Sequence, residues 1–241
     1  MTTVVLGGLG IVAVAAFLGG MTGFGFNIVA TPLLLVLGVA PATAVSVTLT
    51  IALVTRLQVV HRLRQFIRWP RALPLTLASL PGLLVGASVG GALDPEYLRI
   101  GTGAMVLIAA PIMLFTRPRA QGGSPVRYAV SGFAGGALAT TTSLNGIPPA
   151  LGLSADAADQ RSFIADLAVY FVLSNIAGLS ILLVRDGVDP AHLGLLAWWL
   201  PCALTANWVG TRLAPRIAPA KFRLITCGLV VAAGVATLSS A

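Results

Sequence analysis

The chain has 241 residues, of which 57% are hydrophobic and 9% are charged, and its mean hydropathy is +0.94. Soluble domains carry roughly 25% charged residues, so the composition excludes an ordinary soluble protein and predicts an all-α integral membrane protein embedded in a lipid bilayer. The positive charge behind the net value of +8 is concentrated in clusters between apolar spans, as expected for cytoplasmic loops, which argues against nucleic-acid binding. The basic clusters are Arg62, Arg64, Arg68 and Arg71; Arg117, Arg119 and Arg127; and Arg212, Arg216, Lys221 and Arg223.

The first apolar segment is too long to be a single membrane helix. It runs without a charge from Thr3 to Pro41 and contains the sequence FLGGMTGFGFN at 17–27. As one straight helix, residues 3–38 would extend roughly 54 Å, whereas the hydrocarbon core of a bilayer is about 30 Å thick. The glycines therefore predict a break. Transporters build substrate sites at such breaks, because polar backbone at membrane depth must face protein or a water-filled cavity.

The later apolar spans repeat the pattern of the first ones. They lie at about 42–60, 72–93, 97–116, 128–153, 162–184, 192–211 and 223–240. Phe17, Gly19, Gly20 and Pro32 recur 116 residues later as Phe133, Gly135, Gly136 and Pro148. We therefore predict a single membrane domain over 1–241, with a first repeat at about 1–116, a linker at 117–127 and a second repeat at about 128–241.

Loop charges predict that the two repeats are inverted. The loop 61–71 is strongly basic, whereas its counterpart 185–190 is mixed in sign; 94–99 is mixed, whereas its counterpart 212–223 is basic. Because the bias reverses between the halves, they should have opposite orientations in the membrane.

Inverted repeats need an odd number of crossings in each half. We predict that the glycine-broken segments 3–38 and 128–153 are re-entrant hairpins and that three transmembrane helices accompany each, which gives about eight membrane segments. The alternative is eight full crossings with a weak charge bias.

Two charged residues inside the spans are candidates for function. Arg56 either extends to the cytoplasmic interface or provides a fixed positive charge for an anionic substrate, and its cost at membrane depth favours function. Asp166 is either a carboxylate near a helix N-terminus, paired with Arg161, or a proton-coupling site.

The two breaks carry the other candidate substrate-binding residues. Half-helix N-termini present unpaired N–H groups to an oxyanion, and small hydroxyl and amide side chains add neutral donors. The alternative explanation for the small residues is close helix packing. The candidates are Thr22, Gly23, Gly25 and Asn27 at the first break, Thr141, Thr142, Ser143 and Asn145 at the second, and Asn175, which occupies the region of the second half equivalent to that of Arg56.

Enzyme signatures are missing from the sequence. His61 and His192 are isolated, no metal-binding or Walker motif occurs, and Cys202 and Cys227 lie in apolar spans. We expect a protein that is not an enzyme, that uses no cofactor or metal, and that is not driven by ATP.

The sequence resembles the TauE/SafE sulfite-exporter family of bacterial permeases. The resemblance rests on residues 17–50, on RALPLTLASLPGLLVGASVGGAL at 71–93, and more weakly on FAGGALATTTSLNGIPP and SNIAGL in the second half. It implies a multi-pass protein of the bacterial inner membrane that transports sulfite, sulfoacetate or another organosulfonate. The ATTTSLN segment and Arg56 depart from the family pattern, which leaves the substrate open.

Together these observations predict a secondary transporter of a small sulfur-containing oxyanion that works by alternating access and is coupled to protons. An uncoupled anion channel is the alternative within transport, and a membrane-embedded enzyme or assembly factor is the alternative outside it. Direction of transport and assembly, including a homodimer, are left open.

Overall fold

The computed structural model describes residues 2–115, 123–154, 160–186 and 190–213, together with 228, 231 and 235. These residues form helices and connections, and no strand occurs among them. Apart from residues 228, 231 and 235, the predicted last span, 223–240, lies outside the described residues, and so does most of the linker. The helices are α1 (Thr2–Thr22), α2 (Gly25–Val36), α3 (Pro41–Leu63), a short 3₁₀ turn (Arg64–Phe66), α4 (Trp69–Ala92), α5 (Pro95–Phe115), α6 (Pro125–Thr142), α7 (Ile147–Ser154), α8 (Gln160–Asp186) and α9 (Pro190–Leu213).

Several of these helices are long and apolar enough to cross a bilayer. In the described part of the chain these are Val4–Thr22, Pro41–Phe66, Trp69–Ala92 and Arg161–Arg185. Large apolar side chains also cover the outside of the bundle; Leu77 is 57% exposed and Val184 is 87% exposed. A soluble protein would bury such side chains, whereas lipid solvates them. The protein is therefore a multi-pass membrane protein.

Each predicted break is a real interruption between two helices, and both depend on left-handed backbone. Gly23 has φ +87° after α1, and Ser143 has φ 62° after α6. Glycine adopts this conformation without steric cost, whereas a serine adopts it only when the surrounding structure holds it there.

Both interrupted segments fold back on themselves. A Cβ on Gly7 would lie 3.0 Å from the Leu37 side chain, so the start of α1 faces the chain just beyond α2. In the second segment a Cβ on Gly135 would lie 2.8 Å from the Pro149 ring, and Gly152 packs against Ser131. These contacts make α1–α2 and α6–α7 two antiparallel hairpins.

The long helices form two groups of parallel helices. In the first group, α1 runs beside α9 and α9 runs beside α3, where Arg62 donates to Thr211 Oγ1 at 3.2 Å. In the second group, α4 runs beside both α6 and α8, and Thr140 Oγ1 donates to the Leu83 carbonyl at 2.9 Å. The two groups meet along α3 and α8, which are antiparallel: Leu49 lies beside Asn175, and Arg68 lies beside Asp166.

Charge is distributed unequally between the two ends of the bundle. One end holds the C-terminal ends of α3 and α9 and the N-terminal ends of α4, α6 and α8. We call it the basic end, because it carries Arg62, Arg64, Arg68, Arg71, Arg127, Arg161 and Arg212. The charged residues at the opposite end, among the described ones, are Asp94, Glu96, Arg99, Arg185 and Asp186.

The contact between α4 and α6 depends on glycines that let the two backbones approach closely. A Cβ on Gly136 would collide with the Ser79 carbonyl, and one on Gly132 would collide with the Leu75 carbonyl. We expect Gly136→Leu to destabilise the protein by about 3 kcal/mol or more, because the obstacle is backbone and cannot rotate away. The melting temperature in detergent measures this effect.

Gly10→Leu is the matched control, since Gly10 is exposed on α1 and a Cβ added there would meet no other atom within 4 Å. Equal melting temperatures for the two variants would show that the α4–α6 contact does not hold the bundle together.

Candidate functional site

The two hairpins meet through a chain of buried amides. Asn27 Nδ2, on the first turn of α2, donates to Asn145 Oδ1 at 3.0 Å, and Asn145 Nδ2 donates to Asn175 Oδ1 of α8 at 2.9 Å. Asn175 Nδ2 lies 3.5 Å from the Leu49 carbonyl of α3. All three amides are almost fully buried. We call Asn27, Asn145 and Asn175 the amide chain. It connects both hairpins with α8 and α3, the two helices along which the groups meet.

Hydroxyl groups form a second polar contact between the two hairpins. Thr48 Oγ1 donates to the Ala44 carbonyl at 2.7 Å. Since a hydroxyl has a single hydrogen, Ser143 donates to Thr48 at 2.8 Å and accepts from Thr31 at 3.3 Å. The left-handed Ser143 thus places its side chain between the hairpins, which explains why a non-glycine residue is held in this conformation.

Arg56 lies on the inner face of α3, with 2% of its surface exposed. Its Nη2 donates to the Gly19 carbonyl in the last turn of α1 at 3.0 Å. Its guanidinium lies 5.8 Å from the centre of the Phe171 ring, and Phe171 is one turn from Asn175 on α8. No carboxylate pairs with Arg56 in the described part of the chain, and its buried Nη1 has no hydrogen-bond partner there. Arg56 is therefore buried inside the bundle, bonded to α1 and beside Phe171 of α8.

Thr22 and Thr142 have matching roles at the two breaks. Thr22 Oγ1 donates to the Leu18 carbonyl at 2.9 Å and accepts the Gly25 N–H at 2.9 Å. Thr142 Oγ1 donates to Leu138 at 3.2 Å and accepts the Leu144 N–H at 3.4 Å. Each hydroxyl therefore closes one helix and orders the turn that follows.

Gly23 and Gly25 complete the turn between α1 and α2. Gly23 adopts the left-handed backbone conformation of this turn, and a Cβ on Gly25 would lie 2.9 Å from Thr22 Oγ1. The geometry of these two glycines therefore belongs to the hairpin tip itself.

Two predicted site residues lie away from the amide chain. Thr141 Oγ1 donates to the Ala137 carbonyl at 2.9 Å, and its side chain faces cavities toward the end opposite the basic end. Asp166 lies on α8 nine residues before Asn175, which is about 13 Å along the helix.

Asp166 is fully buried at the basic end. Its Oδ1 accepts the Arg68 N–H at 2.7 Å, and its Oδ2 lies 3.9 Å from Arg71 Nη1. The predicted partner Arg161 instead places its guanidinium 5.3 Å from the centre of the Phe66 ring. Asp166 thus connects α8 to the start of α4.

Sequence reasoning did not select Thr31, Thr48 or Phe171. Thr31 follows Asn27 by four residues, so both lie on one face of α2, and this spacing could have identified it. Thr48 precedes Arg56 by eight residues and shares its face of α3 for the same reason.

The site combines neutral donors and acceptors with one guanidinium, an arrangement suited to a single small anion. Among the described residues, no group of three or more His, Cys, Asp or Glu side chains is arranged to hold a metal ion.

Comparison with known proteins gives one family. The family model for the sulfite exporter TauE/SafE matches residues 8–237. No curated protein and no solved structure matches the chain.

Proposed function

The chain belongs to the TauE/SafE sulfite exporter family, and from this premise we propose that it is a secondary transporter of sulfite or a related organosulfonate in the bacterial inner membrane. The family implies a permease for sulfite or another sulfur-containing anion. The observation that supports an anion site in this chain is Arg56, which is buried without a carboxylate partner in the described structure. A buried charge is costly unless something neutralises it, and an oxyanion would do so.

Two unpartnered polar atoms add to this argument. Arg56 Nη1 is a buried donor and Asn27 Oδ1 is a buried acceptor, and neither has a partner in the described part of the chain. Gly19 accepts from Arg56, and a Cβ on Gly19 would lie 2.8 Å from the side chain of Phe26, the residue before Asn27. A hydrogen sulfite ion offers both an anionic oxygen for a buried donor and an O–H group for a buried acceptor.

The helix directions support two inverted repeats. The first hairpin packs along α9 of the second half, and the second hairpin packs along α4 of the first half. The counterparts α3 and α8 pack against each other in opposite directions. This exchange of partners is what a two-fold axis in the membrane plane produces. Because α1 and α3 are parallel, the chain must return through α2, which supports a re-entrant hairpin.

The positive-inside rule places the basic end in the cytoplasm. The amide chain then joins the two repeats at the point where their hairpins overlap. Alternating access would rock one repeat against the other and open this contact to each side in turn.

Uptake of radiolabelled sulfite by reconstituted protein tests the proposal. We expect saturable uptake that accumulates sulfite against its gradient when a pH gradient is imposed, and competition by sulfoacetate but not by acetate. Equilibration without accumulation would favour the uncoupled channel, and conversion of sulfite to another product would favour an enzyme.

Asp166 is the proposed proton-coupling residue. We expect Asp166→Asn to reduce uptake driven by a pH gradient to the level seen without a gradient, because the amide keeps an acceptor for the Arg68 N–H but cannot release a proton. Sulfite exchange at equal concentrations on both sides needs no net proton movement and should persist. A variant that still responds to the gradient, or one that loses exchange as well, would remove Asp166 from this role.

A further inference from the structure

A cavity of about 160 Å³ lies toward the end of the bundle opposite the basic end. Its walls come from the starts of α3 and α5, the ends of α4 and α8, and the last turn of α6, and its polar lining includes Ser46, Thr140, Thr141 and Arg185. Within the described residues, Arg185 is the charged member of this lining. The cavity therefore combines one cation with hydroxyl groups, the same chemistry as the central site.

Arg185 is held against α4. Its Nη1 donates to the Ala87 carbonyl, and a Cβ on Gly91 would collide with its guanidinium. No acidic side chain pairs with it in the described structure. A guanidinium held by one carbonyl keeps further N–H groups for an anion.

The cavity also lies next to the central hydroxyl groups. Two of its lining residues are one helical turn from these hydroxyl groups: Val45 precedes Thr48 by three residues, and Thr140 precedes Ser143 by three. Thr48 and Ser143 bond to each other. An anion leaving this cavity toward the centre would therefore meet Ser143 and Thr48 first. Arg56 lies farther along α3, eight residues beyond Thr48.

We propose that this cavity is a second anion site, in which Arg185 and Ser46 donate to a small oxyanion on its way to or from the central site. The inference rests on the proposed transport of an oxyanion. It adds a binding step at the end opposite the basic end, where Arg185 raises the local anion concentration.

The test uses Ser46→Cys in a chain whose Cys202 and Cys227 are replaced by alanine. Right-side-out membrane vesicles are treated with a sulfonate-bearing or a trimethylammonium-bearing methanethiosulfonate. We expect the ratio of the sulfonate rate to the trimethylammonium rate to be higher at the introduced thiol than at a free thiol in solution, and Arg185→Gln to lower this ratio about 5-fold. Arg185→Lys should keep most of the ratio, and Arg64→Gln, the same change at the basic end, should leave it unaltered.

An unchanged ratio in Arg185→Gln, or no labelling by either reagent, would overturn the second site. Labelling requires no transport, so this result is independent of the proposed function. If wild-type protein carries sulfite, Arg185→Gln should also raise KM about 5-fold for sulfite supplied from that side, with little change in the maximal rate. If wild-type protein carries none while the ratio depends on Arg185, the proposed function fails and the site stands.

Discussion

Arg56→Gln is expected to lower sulfite uptake at subsaturating concentration by at least about 100-fold, because breaking a buried charge pair costs about 3–5 kcal/mol. Glutamine keeps a polar N–H group but is two atoms shorter than arginine, whose Nη2 donates to the Gly19 carbonyl at 3.0 Å. It provides no charge, however, and the anion would enter a buried region without neutralisation. Arg56→Lys should retain part of the activity, since it keeps the charge but loses the planar donor geometry.

A purely structural role for Arg56 makes a different prediction. The Gly19 carbonyl belongs to the last turn of α1, where a cation is favourable beside the negative end of the helix dipole. If this were the only role, Arg56→Gln would lower the melting temperature and leave sulfite binding intact. We expect sulfite binding to be lost instead: sulfite should raise the melting temperature of wild-type protein but not that of Arg56→Gln. Arg64→Gln, a charge loss at an exposed site, should still respond to sulfite.

The sequence was most informative where local chemistry decides the structure. Glycine at position 23 predicted the first interruption, and it has the left-handed backbone that this interruption requires. The hydroxyl run 140–143 before Asn145 likewise predicted the second interruption. The left-handed residue there is a serine, Ser143, and not a glycine. Both features follow from short segments and need no knowledge of what packs against them.

The sequence was less informative where contacts join distant segments. Asn27 and Asn145 bond to each other across 118 residues, and no local pattern specifies that pairing. For Asp166, helical spacing suggested Arg161, but the packing of α8 against the start of α4 brings Arg71 to 3.9 Å instead. Thr22 was selected as a substrate donor, whereas its hydroxyl bonds the local backbone, a preference that threonine shows widely near helix ends.

Asn145→Leu is expected to be the most damaging substitution in the amide chain. It leaves Asn27 Nδ2 without its acceptor and Asn175 Oδ1 without its donor, and both groups are buried. Each stranded group costs about 1–3 kcal/mol, so the free energy of unfolding should fall by about 2–6 kcal/mol in total. Because the same amide joins the two hairpins, uptake should be lost even in the protein that remains folded.

Asn207→Leu is the matched control for this substitution. Asn207 is 2% exposed on α9, and its Oδ1 has no hydrogen-bond partner in the described part of the chain. The same change there strands no partner, so stability and uptake should stay close to wild type. Chemical denaturation and sulfite uptake, measured for both variants, separate the two sites. Equal losses in Asn145→Leu and Asn207→Leu would mean that any buried leucine is harmful, and that the amide chain has no special part in joining the hairpins.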